Sequence, residues 1–265
     1  MKRALTIAGS DSGAGAGIQA DLKTFAARGV YGTSVITAIT AQNTLAVTGL
    51  LELPLAIVEA QLDAVLSDIG TEAAKTGMLC SAPMIDLVSE KIRAWNISRL
   101  VVDPVMVAKG GDRLLRKDAV TSLKEKLLPL ALVLTPNLPE AEVLVGHPVR
   151  TRLEMEQAAH EISALGVPNV LIKGGHAEGP CVDLLFDGHN FIEYRAERIE
   201  SRSTHGTGCT LSAAIAAELA KGLSVPDAAG EAKRYITEAI RQAPGIGAGH
   251  GPLNHFPTGL TISTG

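Results

Sequence analysis

Aromatic rings, long basic runs, paired cysteines and unbroken apolar stretches are all scarce in this chain, and each scarcity removes a class of function. Aromatics are 3% of the residues, and 24 Lys and Arg are outnumbered by 28 Asp and Glu, for a formal net charge of −4. With few rings to stack on bases and no basic run to follow a phosphate backbone, no nucleic-acid partner is expected. Cys80, Cys181 and Cys209 are odd in number and widely separated, with no CxxC and no His pair at zinc-ligand spacing. Neither a disulfide framework nor a structural zinc site follows. The apolar run behind Met1, Lys2 and Arg3 is cut at Asp11, too early for a signal peptide or a membrane span. The expectation is a soluble, cytoplasmic protein with no membrane partner. No GxxxxGK[ST] occurs, which sets aside the P-loop nucleotide binders.

What is present is 265 residues of 46% hydrophobic content, enough for a sizeable core. Strand-forming runs alternate with helical periodicity from end to end. Strands are expected at 4–8, 33–41, 73–76, 99–103, 131–135 and 169–173, with a hairpin at 181–186 and 191–195. Helices are expected at 18–28, 54–69, 81–95, 114–128, 141–145, 153–165 and 226–243, and another runs up to Gly222 from a glycine-rich turn. No repeat, low-complexity segment or linker divides the chain. The economical solution is a single α/β domain over 1–265, a doubly wound, mostly parallel sheet covered on both faces.

The stretch Thr204-His205-Gly206-Thr207-Gly208-Cys209 enters the helix that carries Leu211, Ile215 and Leu219. Gly206 and Gly208 allow close backbone approach, and first-turn N–H groups without intrahelical partners attract anions. In that turn the helix dipole and any nearby cation would favour the Cys209 thiolate; alternatively, the turn is a plain loop before a core helix with an inert cysteine. The opening loop, 9–17, has glycines at 13, 15 and 17 that do not fit GxGxxG. It sets Asp11 beside Gln19 and Asp21, either to grip a small polar ligand or as a turn residue and a solvated helix position. Gln42 and Asn43 follow a strand and suit hydrogen bonding to a heteroaromatic ring, or a capped turn.

Asp103 and Pro104 end a buried strand where ligands of parallel sheets gather. Asn137 and Glu140, three apart, can position a hydrated Mg²⁺ through its waters or cap a helix. Lys173, at a strand end before Gly174 and Gly175, can reach a phosphate. His250 and His255, in a Gly- and Pro-containing tail, read as structural. Asp11, Gln42, Asp103, Asn137, Glu140, Lys173 and the 206–209 turn should all share one sheet edge. An organic-ligand pocket, a metal-positioning pair, a cation and an anion hole together suit phosphoryl transfer from a nucleotide.

Eight motifs in order carry a family resemblance over nearly the whole chain: Ala8-Gly-Ser-Asp11, Ala16-Gly-Ile-Gln-Ala-Asp21, Thr40-Ala-Gln-Asn43, Lys75-Thr-Gly-Met78, Val102-Asp-Pro-Val-Met-Val107, Thr135-Pro-Asn-Leu-Pro-Glu140, Ile172-Lys-Gly-Gly-His176 and Thr204-His-Gly-Thr-Gly-Cys209. The chain resembles the hydroxymethylpyrimidine and phosphomethylpyrimidine kinases of thiamine biosynthesis, within the ribokinase-like family. The resemblance implies a three-layer α/β/α fold, ATP as co-substrate with Mg²⁺, a homodimer, and two successive transfers to a hydroxymethylpyrimidine. It implies that Gln42, Asp21, Gly9, Met78 and Val105 hold the pyrimidine. Asn137, Glu140, Lys173, Thr204 and Thr207 would serve the metal and the ATP phosphates, and the Gly206, Gly208 and Cys209 amides the transferring group. Many ribokinase-like relatives have an aspartate base where Cys209 stands, which makes Cys209 the candidate base. Ser12-Gly13-Ala14 departs from the Pro-Ser-Gly usual in the family. Residues 105–111 are the candidate lid. A pyridoxal or pyridoxine kinase is the nearest alternative, because that ring also bears a hydroxymethyl group; a non-catalytic pyrimidine- or nucleotide-binding regulator is another.

Overall fold

The computed structural model describes residues 1–106, 115, 118–175 and 181–259. In chain order the elements are β1 (Arg3–Asp11), α1 (Gly17–Ala27), β2 (Tyr31–Gln42), β3 (Val47–Glu52), α2 (Leu55–Asp68), β4 (Ala73–Thr76), α3 (Ala82–Ala94), β5 (Leu100–Val102) and α4 (Ala119–Ser122). There follow β6 (Val133–Leu134), α5 (Leu138–Val145), α6 (Arg152–Ser163), β7 (Asn169–Ile172), β8 (Cys181–Phe186), β9 (Phe191–Ala196), α7 (Thr207–Lys221) and α8 (Val225–Arg241).

All nine strands join one sheet in the order β3-β2-β1-β4-β5-β6-β7-β8-β9. The six from β2 to β7 in that order are parallel; at the margins β3 pairs antiparallel with β2, β8 antiparallel with β7, and β9 antiparallel with β8. Burial on both faces explains the apolar runs of β1, β5, β6 and β7, whereas β2, nearer the margin, alternates between buried and more exposed residues. Alternate residues supply the two cores. Ala4, Ala73, Val101, Val133 and Leu171 meet α7 and α8, and Leu5, Ala74, Leu100, Val102, Leu134 and Val170 meet the helices of the other face. The result is the three-layer α/β/α arrangement of the ribokinase-like class. The chain leaves β1 to one side for β2 and to the other for β4, so a crevice opens at the carboxyl ends where the order reverses.

Helix α7 is the centre of one layer. Every residue from Thr210 to Ala220 is buried, and the helix packs on β1, β4 and β5 between α1 and α8. Its alanines let it approach the sheet closely. Two expectations need correction. The antiparallel strand β3 was not among the expected strands, because Leu50 and Leu51 are both exposed and its residues show no clean alternation. The helix expected over 114–128 begins, among the described residues, only at α4. It then widens to a π-turn over Leu123–Leu127 and tightens to a 3₁₀ turn over Leu128–Leu130, where Pro129 contributes no N–H. The candidate lid beyond residue 106 lies outside the described residues, as does His176. Among the described residues no helix is long and apolar enough to cross a membrane.

Candidate active site

The crevice is a cavity of about 550 Å³. Gly9 and Asp11 enter it from β1, Gln42 from β2, Met78 from beyond β4, and Asp103 and Val105 from beyond β5. Asn137 and Glu140 come from the start of α5, Lys173 from beyond β7, and Thr204 to Cys209 from the entry to α7. Residues spread over the whole chain thus share one edge because parallel strands present their carboxyl ends together.

Gly206 caps α7 at φ 80°, with no side-chain hydrogen bond to the first-turn N–H groups. A side chain there would meet backbone: a Cβ on Gly206 would fall 1.8 Å from the Gly15 carbonyl oxygen. The opening loop and the α7 turn therefore interlock through two glycines, and the free N–H groups face the cavity end as a site for negative charge. The Thr207 hydroxyl is already committed, donating to the Thr204 carbonyl at 2.7 Å. Its backbone N–H also turns to that carbonyl, at 3.4 Å, so the N–H groups of the following Gly208 and Cys209 are better placed to serve a ligand.

Lys173 lies beside that turn, 3.0 Å from Asp103 Oδ1 and 3.8 Å from Glu140 Oε2. Burial alone would lower its pKa, but the two carboxylates hold it above the ordinary lysine value. Glu140 is raised too: burial, against Lys173 and with Asp103, pushes its carboxyl up to about 7. Asn137 and Glu140 also form the α5 capping box. Asn137 Oδ1 accepts from the Glu140 N–H at 2.9 Å, and Glu140 Oε2 accepts from the Asn137 N–H at 2.8 Å. The helix-cap reading and the cavity-facing reading coexist, because the box uses one face of each side chain.

Two expectations are overturned. Asp21 is neither solvated nor in the cavity lining. It is fully buried, accepts from Thr6 Oγ1 at 2.6 Å, and lies 2.8 Å from the Nζ of Lys75. Lys75 stands in front of it and lines the cavity in its place, held above the usual lysine pKa by Asp21 against the effect of burial. Cys209 is not a favoured thiolate: burial outweighs the neighbouring Lys75 and pushes its pKa up to about 11. A helix start favours the thiolate there, but desolvation outweighs it.

Asp11 organises the opening loop. It accepts from the N–H groups of Gly13, Gly15 and Ala16 at 2.8, 3.1 and 2.8 Å, and from His205 Nε2 at 2.8 Å. These bonds keep its pKa low although burial opposes them. Gln19 braces the end of β1, accepting from the Asp11 N–H and donating to Ser10 Oγ. His205 was assigned no role in the sequence, and its only signal was its place between Thr204 and Gly206. His250 also lines the cavity, contrary to its structural reading, whereas His255 is buried against Thr210 Oγ1 at 3.2 Å. Gly9 leaves room for Met78, whose Cε lies 2.3 Å from where a Cβ on Gly9 would be. Among the described residues no group of three His, Cys, Asp or Glu side chains is placed to hold a metal ion.

A crevice at the switch point of such a sheet, ending on an uncapped helix start with a lysine beside it, marks the molecule as a phosphotransferase of the ribokinase-like class. A sequence model of the phosphomethylpyrimidine kinase family matches residues 11–254, and the chain belongs to that family. It is 49% identical over 256 residues to the hydroxymethylpyrimidine/phosphomethylpyrimidine kinase of Bacillus subtilis, covering 96% of this chain and 94% of that one. It is 54% identical over 253 residues to the thiamine biosynthesis bifunctional protein ThiED of Geobacter sulfurreducens. That match takes in 95% of this chain, which spans about half (52%) of the longer protein. Among solved structures it superposes on phosphomethylpyrimidine kinase from Clostridium difficile with TM-score 0.82 and 46% identity, over 91% of this chain and 100% of that one. It superposes on the ADP complex of Bacillus subtilis pyridoxal kinase with TM-score 0.90 and 42% identity, over 96% and 97% of the two chains. ATP is accordingly the co-substrate.

Proposed function

We propose that this chain phosphorylates 4-amino-5-hydroxymethyl-2-methylpyrimidine at its hydroxymethyl oxygen and then phosphorylates the resulting monophosphate, giving the diphosphate used in thiamine biosynthesis. The observation that carries the reading is the cavity's polarity. Its lining includes Gln42, Val105 and the adjoining Gly9 and Met78, which suit a flat ring, and the α7 amides with Lys173 beside Gly208, which suit a phosphate. In the first transfer the hydroxymethyl oxygen attacks the γ-phosphorus of ATP, the bond to the β-bridging oxygen breaks, and ADP leaves. Gly206, Gly208 and Cys209 present backbone N–H groups to the moving phosphoryl oxygens, and Lys173 adds positive charge. Thr204 stands at the same turn. These groups act by positioning and electrostatics, which is most of what a loose phosphoryl-transfer transition state needs.

The Cys209 thiol, with its raised pKa, stays protonated and contributes its N–H and its shape rather than a base. The acceptor proton is lost late, passing to water or to an oxygen of the transferred phosphoryl group as the phosphate ester forms. In the second transfer the acceptor is an ionised phosphate and brings no such proton. The donors present fit Mg²⁺: Glu140 is a hard oxygen ligand at the cavity wall beside the Asn137 amide, and one carboxylate with phosphates and waters is a usual Mg²⁺ environment. Bound there, the ion would neutralise phosphate charge. A second reading, pyridoxal kinase, is favoured by the superposition on pyridoxal kinases, whose ring also carries a hydroxymethyl group.

Exposed Ile39, Leu50 and Leu51 on β2 and β3 support a homodimer built on that margin, and the continuous sheet supports one domain over 1–265. A cytoplasmic setting agrees with three free cysteines. The test is ADP release with Mg-ATP and each alcohol, with product mass determined. Two phosphates on the pyrimidine are expected. Transfer to pyridoxal alone would replace the reading with its alternative.

A further inference from the structure

Gln42, His205 and Asp11 meet across the cavity wall, and their hydrogens can be assigned by counting donors and acceptors. Asp11 Oδ2 already accepts from Gly15 and Ala16 and lies 2.8 Å from His205 Nε2. A carboxylate only accepts, so His205 Nε2 must carry a hydrogen, whether the ring is neutral or protonated. The end of the Gln42 amide facing the ring is 3.2 Å from that same Nε2, and the other end is 3.2 Å from Thr40 Oγ1. Distances do not tell amide nitrogen from oxygen; the partners do.

With the NH₂ towards His205, two N–H groups would confront each other. Thr40 would also have to donate its single hydrogen twice, to Gln42 and to the Ser10 carbonyl 3.0 Å away. With the oxygen towards His205, no two donors confront each other: the single Nε2 hydrogen is shared between Asp11 and Gln42, Gln42 donates to Thr40, and Thr40 donates to Ser10. His205 is itself only 13% exposed, and a Cβ on Gly15 would lie 2.5 Å from its Cδ2, so the ring is clamped.

We propose that His205 is a positioning residue for ring recognition, holding the Gln42 amide with its oxygen towards the imidazole and its NH₂ towards Thr40. The fixed amide then offers the cavity one N–H and one oxygen lone pair in a set order. An amide so held is complementary to an aminopyrimidine edge, where a ring nitrogen that accepts adjoins an amino group that donates. The choice of an aminopyrimidine rests on the function proposed above; the hydrogen-bond assignment does not.

Ring-nitrogen NMR of ¹⁵N-histidine protein tests the assignment alone, with the His205 signal identified by its loss in His205→Gln. A hydrogen on Nε2 is expected, and a neutral ring protonated only on Nδ1 would overturn the proposal. Steady-state kinetics with the pyrimidine alcohol test the role. In His205→Gln the new amide N–H can reach the Nε2 position, whereas in His205→Asn it mimics only Nδ1. His205→Gln should keep the pyrimidine KM near that of the parent, and His205→Asn should raise it about tenfold, with KM for ATP unchanged in both. Equal effects of the two variants, or parallel losses in both KM values, would leave His205 a merely structural residue and overturn the role. If the parent enzyme does not phosphorylate the pyrimidine at all, the function proposed above fails, and the NMR result alone decides the assignment.

Discussion

Two alanine substitutions at opposite ends of one helix separate backbone strain from damage to the anion site. Gly206 precedes α7 at φ 80° and Gly222 follows it at φ 99°. Alanine in the left-handed region costs about 1–2 kcal/mol at either position. At Gly222 nothing lies within 4 Å of the new Cβ, so strain is the whole effect. At Gly206 the Cβ would sit 1.8 Å from the Gly15 carbonyl oxygen and 2.8 Å from its carbon. Both are backbone atoms, so the loop and the turn must part by more than about 1 Å, a misplacement that costs on the order of 100-fold in rate. Gly222→Ala should therefore lower Tm by a few degrees, at about 2–4 °C per kcal/mol, with kcat unchanged. Gly206→Ala should lower Tm further and kcat about 100-fold. ADP-release kinetics and thermal unfolding of both variants supply the comparison. A Gly206→Ala enzyme with parental kcat and the same Tm loss as Gly222→Ala would refute the interlocked-turn account.

The buried thiol of Cys209, with a pKa near 11, should react with iodoacetamide at pH 8 about 100-fold more slowly than a free thiol. Cys209→Ala should keep kcat for the first transfer within about tenfold, whereas a loss of 100-fold or more would restore a base role. Asp21→Asn leaves the Lys75 ammonium buried without its carboxylate and should cost about 3–5 kcal/mol of stability. Asp21→Asn combined with Lys75→Met should recover much of that in denaturant unfolding, and additive losses would deny the pairing. His255 is depressed by burial to about 4 from 6.5. Its folded pKa lies below its unfolded one, so the unfolded chain takes up the proton first. Up to about 3 kcal/mol of stability should be lost as pH falls from 6.5 to 4, and His255→Gln should flatten that decline. An unchanged profile would assign the loss to other groups.

The sheet's central strands and the edge that gathers Gln42, Asp103, Glu140 and Lys173 were legible because buried parallel strands are continuous apolar runs that end on polar residues. What was not legible depends on distance along the chain or on burial. Asp21 meets Lys75 across 54 residues and Asp11 meets His205 across 194, and no local spacing announces either pair. The lysine inside Ala73–Thr76 carries no local sign of the carboxylate buried against it. Cys209 shows the limit of arguing from one force: the helix start favours an anion, but enclosure disfavours it more. Past Ser122 the apolar spacing of Leu123, Leu127 and Leu128 suits an α-helix as well as the wider and tighter turns that form.

The α7 amides belong to a deeply enclosed helix, with an unbroken run of buried residues from Thr210 to Ala220 behind them. Most binding loops open locally at little cost, and their amides exchange with solvent long before the core does. Here the turn proposed to face phosphate can loosen only if α7 lifts from β1, β4 and β5. Its hydrogen-exchange clock is therefore tied to unfolding of the whole layer. Adding bulk to an alanine deep on the sheet-facing side of α7 becomes, without touching substrate, a kinetic mutation.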